Sequence, residues 1–517
     1  VVNLSESWII LQPIAILFAG ALLMQVIEPV GRALKIEKLR DAFTIAIFGL
    51  SLYSLLGIYG DVQTQGRLTY FLSPYEPPIG VSFAVDQFSI FMAFVFCLLG
   101  LLVSIYSVRY MEGDTGLDKY YSLLMSLVAG LVGVSFAGDL FNLFIFWEAM
   151  SLSSYALVAF KKYRWEPIEA SFKYLVMSTI GSLTALYAMS ILYGLAGTLN
   201  IIELASIIPT LDPYPLYLVI IAIIAGFGVT ASIVPFHFWL PDAHPAAPSG
   251  ISAMLSGVVI KAGVYAIARI LFSIFDPAVF SFGTALVLFG IITLSVANVM
   301  ALLQRDIKRL LAFSSIVNIG YIIFGLGIGA YALNVYGMGG YSIAVLAMMG
   351  AIFHIFNHAI GKGLLFLGAG NFIHEAGTRD LIELEGVGKK MPLTGTSFSM
   401  GLLALAGVPP LSGFWSKLFI ILAGYTVLSD SFMVVTTSIV VLNAIFAAAY
   451  YLWLMQRLML KTPKPRVEHT CEGKGLLSMV LPVVIMGLIT VLIGLWPFGI
   501  INFADLAARS LLGLVGG

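Results

Sequence analysis

The sequence predicts an all-α polytopic membrane protein with about fourteen transmembrane helices in one membrane domain. Composition is the first ground: soluble domains carry roughly 25% charged residues, whereas this chain of 517 has 10% charged, 60% hydrophobic and a mean hydropathy of +1.00. The second is continuity. Apolar runs of the ~20 residues that a bilayer requires follow one another from Trp8 to Phe498, with no soluble block longer than a loop between them. The third is the distribution of Lys and Arg, which alternates between successive loops as the positive-inside rule demands.

Cut at its polar and Pro/Gly breaks, the chain divides into spans at residues 8–29, 42–60, 83–108, 119–137, 139–160, 168–196, 214–234, 250–275, 282–303, 309–329, 343–371, 395–424, 431–458 and 477–499. The first is a poor signal peptide, because nothing basic precedes it and no small-residue cleavage site follows. With the N-terminus outside, the cytoplasmic loops collect Arg32, Lys35, Lys38 and Arg40; Arg109 and Lys119; Lys161, Lys162 and Arg164; Arg305, Lys308 and Arg309; Arg379, Lys389 and Lys390; and Arg457, Lys461, Lys464, Arg466 and Lys474. The outer side receives Arg67 and Arg509. That bias predicts an even number of spans, with both termini outside a multi-pass cell membrane. Residues 500–517 read as a short amphipathic tail. Prolines and glycines in the run from Pro235 to Pro248, and in Gly407-Val-Pro-Pro-Leu-Ser-Gly413, predict two broken helices five spans apart. Broken helices in corresponding positions of two halves point to inverted repeats around an ion site.

Lys+Arg and Asp+Glu both total 27, and no basic stretch is interleaved with aromatics, so nucleic-acid binding is not expected. Cys97 lies in an apolar run and Cys471 in a polar loop, which makes no disulfide framework or metal cluster. Gly325, Gly327 and Gly329 follow a membrane helix rather than a strand, so they are not a dinucleotide fingerprint. No cofactor is expected.

Ionisable groups inside a bilayer are costly and mark ion pathways or paired interior sites. Glu148 is nine residues into its span, roughly 13 Å deep at 1.5 Å per residue; a purely structural carboxylate bonded to a neighbouring helix is the alternative. Lys261 is equally central. Desolvation disfavours the charged form of a buried lysine, the property that a group loading and releasing a proton needs; the alternative is an amine snorkelling to an interface. His354, His358 and Lys362 fall at i, i+4 and i+8, which stacks them on one helical face over about 12 Å. Their spacing suits a relay through neutral imidazoles. A zinc site is disfavoured because Ile355 stands where a zinc-protease helix carries glutamate. Lys417 follows the second break by four residues, beside unwound backbone able to solvate it. Lys173 lies two turns into its helix, open to either relay or snorkelling, and Arg269 reads as structural.

Several strings resemble a known family: Phe146-Trp-Glu-Ala-Met; Pro235-Phe-His-Phe-Trp-Leu-Pro-Asp-Ala-His-Pro-Ala-Ala-Pro; Gln304-Arg-Asp-Ile-Lys-Arg-Leu-Leu-Ala-Phe-Ser-Ser; Asn357-His-Ala-Ile-Gly-Lys-Gly-Leu-Leu-Phe; and Gly407-Val-Pro-Pro-Leu-Ser-Gly-Phe-Trp-Ser-Lys. Together they resemble the antiporter-like, proton-conducting subunits of complex I, Mrp antiporters and membrane-bound hydrogenases. The resemblance implies inverted five-helix repeats, helices 4 to 8 at about 119–275 and helices 9 to 13 at about 282–458, with helices 7 and 12 broken. It implies a proton path through Glu148, Lys261, His354 or His358, Lys362 and Lys417. It implies other membrane subunits as partners, with protons and sodium as the candidate ions. One family member is missing: where the resemblance expects a lysine on helix 7 to pair with the glutamate of helix 5, this chain has Thr230. His237, Lys173 or another subunit is then the expected substitute, with His244 as a further accessory; otherwise this half no longer pumps. A structural subunit without conduction and an independent solute carrier are the competing readings.

Overall fold

The computed structural model describes residues 7–36, 38–72, 75, 78–473 and 477–513. In hydrocarbon the backbone must satisfy its own polar groups, so spanning segments of this composition form helices. The helices are α1 (Gln12–Leu34), α2 (Leu39–Gln65), α3 (Gln87–Tyr110), α4 (Leu117–Phe136), α5 (Leu140–Val158), α6 (Trp165–Ala196), α7 (Ile201–Ile207), α8 (Pro213–Ala231), α9 (Leu240–Ala246), α10 (Ser249–Met254), α11 (Ile260–Ile274), α12 (Phe282–Leu302), α13 (Ile307–Tyr336), α14 (Tyr341–Ala376), α15 (Val387–Lys390), α16 (Pro392–Ala406), α17 (Ser412–Gly424), α18 (Ser431–Met455), α19 (Leu477–Leu495) and α20 (Phe498–Leu511).

Among the described residues, twelve helical stretches are long and apolar enough to cross a membrane. One of them, Ile307–Ala376, consists of α13 and α14 joined through a 3-10 turn at Gly337–Gly340. The short apolar helices α16 and α17 flank the break at Gly407, whose φ is +86°. Every span cut from the sequence therefore coincides with helix, although several boundaries move. The tenth and eleventh spans lengthen to Ile307–Tyr336 and Tyr341–Ala376. Lys308 moves from its expected loop into α13: Asp306 caps the helix by accepting from the Lys308 and Arg309 amides, and this starts the helix early enough to bury the lysine. An antiparallel hairpin, β1 (Leu68–Phe71) and β2 (Ser82–Val85), was not foreseen. Of the expected amphipathic tail, α20 packs Ala504, Ala507, Ala508 and Leu511 inward. Residues 514–517 and Lys474 lie outside the described residues.

Burial separates a centre from a rim. The apolar window of α10–α11 and that of α13–α14 are wholly buried, whereas those of α1, α2, α6 and α18 are buried over 33–39% of their length. The centre is assembled by close backbone approach. A Cβ on Gly290 of α12 would lie 2.8 Å from the Phe324 amide of α13, and one on Gly320 of α13 would lie 2.8 Å from the Leu294 amide of α12.

Candidate functional site

The central helices carry a line of buried polar side chains. Between α10 and α11 the helix widens into one π-turn, Leu255–Val259, two residues before Lys261. Such a turn disturbs the regular i to i−4 bonding and recurs at functional sites. Here the fully buried Lys261 Nζ donates to the Ser256 carbonyl at 2.5 Å. The Ser256 hydroxyl lies 2.7 Å from that of Ser315 on α13.

On α14, His354, His358 and Lys362 share one face and are all fully buried. His354 Nδ1 is 2.9 Å from Ser416 Oγ of α17 and Nε2 is 3.0 Å from Asn318 Oδ1 of α13, so the ring bridges two helices. His358 lies parallel to His354, with centroids 6.3 Å apart, and neither of its nitrogens has a hydrogen-bond partner among the described residues. Lys362 Nζ donates to the Leu311 carbonyl at 3.0 Å and to the Ser314 hydroxyl, 5.9 Å from the ring centre of Tyr451.

The second break supplies the last position. The last four carbonyls of a helix lack intrahelical partners, and the Leu405 carbonyl near the end of α16 accepts from Lys417 Nζ of α17 at 2.5 Å. The same ammonium sits 4.7 Å from the centre of the Tyr321 ring. A carbonyl of the last turn of α16 thus holds the lysine beside the break. Among the described residues, Lys261, Lys362 and Lys417 make no ion pair, being held by carbonyls, hydroxyls and rings. Helix α13 supplies Ser314 to Lys362, Ser315 to the Ser256 whose carbonyl holds Lys261, Asn318 to His354 and Tyr321 to Lys417. The spacing of these four α13 residues, i, i+1, i+4 and i+7, marks a polar helical face that was legible in the sequence but not read there.

The residues of the first half are placed differently. Glu148 is half-buried on α5, in line with exposed Phe141, Ile145 and Leu152, while its Oε1 is turned inward and has no hydrogen-bond partner among the described residues. Thr230 is buried near the end of α8, before the left-handed Ser232 at φ 57°. No described cation pairs with Glu148. Lys173 is 48% exposed and held by Glu169 at 2.8 Å and Asp242 at 3.1 Å. With His237, Asp242 and Arg309 it lines a cavity of about 510 Å³. His244 is fully buried in α9, stacked 4.5 Å from Phe366 of α14, and both its ring nitrogens are unpartnered. Lys308, missed in the sequence, donates to the Ala247 carbonyl at 2.8 Å and reaches Ser252 Oγ at 3.4 Å beside that histidine's helix. Arg269 forms a buried two-pronged pair with Asp86, at 2.6 and 2.7 Å, and also donates to Tyr265. Among the described residues no group of three or more His, Cys, Asp or Glu is placed to hold a metal ion.

Residues 137–443 match the family model described as NADH:quinone oxidoreductase/Mrp antiporter, TM, and residues 72–121 match that for NADH-ubiquinone oxidoreductase (complex I), chain 5 N-terminus. NADH-quinone oxidoreductase subunit N of Desulforudis audaxviator is 32% identical over 84% of this chain and 85% of its own length. A Na(+)/H(+) antiporter subunit of Bacillus subtilis is 30% identical over 87% of each chain. A chain of the membrane-bound sulfane sulfur reductase, an archaeal respiratory membrane complex, is 29% identical with a TM-score of 0.87 over 99% of both chains.

Proposed function

The chain belongs to the NADH:quinone oxidoreductase/Mrp antiporter membrane family, and from that premise we propose that it is a proton-translocating, antiporter-like subunit of a multisubunit membrane complex. One observation carries this reading: Lys261, His354, His358, Lys362 and Lys417 are buried on α11, α14 and α17, and hydroxyl, amide or carbonyl groups of neighbouring helices and of the π-turn hold all but His358. Protons enter this line and pass between Lys261, His358, His354, Lys362 and Lys417, with Glu148 at the far end of the first half. Neutral imidazole can accept at one nitrogen while the other donates, so His358, whose nitrogens are both free of partners, is suited to hand a proton along the stack. Each lysine is held by neutral groups alone, so a charge on one raises the cost of charging the next. Passage through the line is thereby sensitive to charge movement in a neighbouring subunit.

In this reading residues 119–275 and 282–458 are the inverted repeats, and the α8–α9 and α16–α17 breaks are their equivalent points. Both termini lie on the outer face of the cell membrane. Redox chemistry or sodium exchange takes place elsewhere in the complex. The exposed stripe of Phe141, Ile145 and Leu152 beside Glu148 supports a neighbouring subunit there, since a carboxylate turned to lipid is costly.

Thr230 and the unpaired Glu148 favour a second reading, a structural subunit without conduction. Proton uptake by vesicles holding the intact complex separates the two. If Glu148→Gln and Lys417→Ala assemble normally and lose uptake, the relay stands; unchanged uptake in both makes the subunit structural.

A further inference from the structure

One short pattern occurs twice in the chain, as Gly197-Thr-Leu-Asn-Ile-Ile-Glu-Leu204 after α6 and as Gly377-Thr-Arg-Asp-Leu-Ile-Glu-Leu384 after α14. Each copy begins on a left-handed glycine, at φ 72° and 67°, that ends the helix. In each the threonine hydroxyl donates to the glutamate, and the side chain of Asn200 or Asp380 accepts from the amides two and three residues on. Two backbone bonds then latch each copy to the start of another helix. The Leu140 amide donates to the Leu199 carbonyl at 2.9 Å and the Ile201 amide to the Gly138 carbonyl at 3.1 Å, at the start of α5. The Ile307 amide donates to the Arg379 carbonyl at 3.1 Å and the Leu381 amide to the Arg305 carbonyl at 2.9 Å, at the start of α13. The two latches are one device built twice, with Leu199 at the third position of the first and Arg379 at that of the second. Since the latch closes in full around a leucine, the arginine side chain is not required for it.

That side chain reaches three other elements instead. Arg379 Nη1 donates to the Pro245 carbonyl of α9 at 2.6 Å, Nη2 donates to Glu166 in the first turn of α6 at 2.9 Å, and Nε lies 3.1 Å from Oδ2 of Asp306, the cap of α13. A guanidinium presents its donors in a rigid planar fork and so holds several partners in one arrangement, as a point-charge ammonium does not. The last carbonyls of a helix lack intrahelical partners. At the end of α9 they are met from outside: Pro245 by Arg379, Ala247 by Lys308 of α13, and His244 by the Ser252 hydroxyl of α10. On this clamped segment the buried His244 ring stacks against Phe366 of α14. We propose that Arg379 is a positioning residue, a clamp that fixes the α9–α10 turn to α6 and α13 and so sets where His244 stands against α14. This rests on the relay reading for its consequence, that a displaced His244 slows proton passage, but the clamp itself is measured without transport.

The test uses the intact complex in detergent, with Cys97→Ala and Cys471→Ala in this chain and Ala247→Cys, at a position 3% exposed, as reporter of the turn. Its alkylation by N-ethylmaleimide is followed by mass spectrometry. Arg379→Leu, the residue that the other latch carries, keeps the latch and removes the clamp. It is expected to speed alkylation about tenfold, the factor that ~1.4 kcal/mol represents, near the low end of what hydrogen bonds to a charged group contribute. Arg379→Lys keeps a charge that can still donate to one of the three partners, and is expected to recover part of the slowing. Leu199→Ala, at the same position of the other latch, is expected to leave the rate unchanged. Should Arg379→Leu fail to assemble, Glu166→Ala withdraws one partner with the arginine in place and is expected to speed alkylation to a smaller extent. An unchanged rate in Arg379→Leu, or in Glu166→Ala where that variant stands in for it, overturns the proposal. So does a lysine no better than leucine, or an equal rise in Leu199→Ala, which would be general loosening. Faster alkylation in a complex whose wild type takes up no protons would sink the relay and leave the clamp standing.

Discussion

Lys261, Lys362 and Lys417 were legible because an ionisable residue deep in an apolar run is conspicuous, and so were His354 and His358 by their spacing. What holds them was not. Ser314, Asn318 and Ser416 are ordinary residues in helices, and only the fold brings them to a ring nitrogen or an ammonium. Lys308 was misread because it stands between Asp306 and Arg309, a context that looks like loop until the Asp306 cap starts the helix. His354→Gln retains a hydrogen-bonding side chain towards Ser416 and Asn318 but cannot titrate. It is expected to assemble at wild-type levels and lose at least ~99% of proton uptake, the lower end of the 10²–10⁴-fold range of proton-transfer groups. Asp430, outside the spans, offers a pH test. Burial pushes its carboxyl up, but the Tyr336 and Tyr331 phenols and the Met433 amide outweigh this and hold it below the usual carboxylate value. A group depressed in the folded state contributes stability above its unfolded value of about 3.9 and loses it as pH falls through the folded value. Thermal unfolding followed from about pH 6 to pH 3 should therefore show wild type losing more stability on acidification than Asp430→Asn; parallel curves would remove Asp430 as the titrating clamp.

At the scale of the element, the two breaks were legible because proline removes a backbone donor and glycine tolerates left-handed φ. The π-turn before Lys261 was not, since Leu255-Ser-Gly-Val-Val carries no such punctuation, and the strands of the β-hairpin, four residues each, are too short to show alternation, the second overlapping the start of the third span. The α16–α17 break closes tightly: a Cβ on Gly413 would run into the Ala404 carbonyl. Gly413→Ala should cost about 1–3 kcal/mol, the usual penalty of overpacking, and displace the Leu405 carbonyl from Lys417, lowering both melting temperature and uptake. Gly499→Ala, where nothing lies within 4 Å, should stay within about 0.5 kcal/mol of wild type. Equal effects of the two would mean that close approach at the break is not what the glycine provides.

For the whole molecule, composition and hydropathy foretold a helical membrane protein without difficulty, because the bilayer leaves the backbone few choices. Which helices are central could not be foretold, as α1 and α13 are both simply apolar in sequence. Their difference emerges from packing, where α13 is buried continuously from Leu310 to Ala330 and α1 is not. Exposure also marks the face expected to meet a partner. Cysteine placed at Ile145, 48% exposed and one turn from Glu148, and alkylated with a benzophenone maleimide, should on irradiation insert into a C–H bond of a neighbouring membrane subunit in the intact complex. Cross-links to lipid alone would place that face in the bilayer.

The separation of a buried centre from a half-exposed rim has an evolutionary corollary. Substitutions on the half-exposed helices α1, α2, α6 and α18 need touch no residue of the polar line. A lineage can therefore transfer the same internal apparatus from one host assembly to another by drift at its periphery, while the interior, where nearly every atom has a neighbour, is held to a much slower clock.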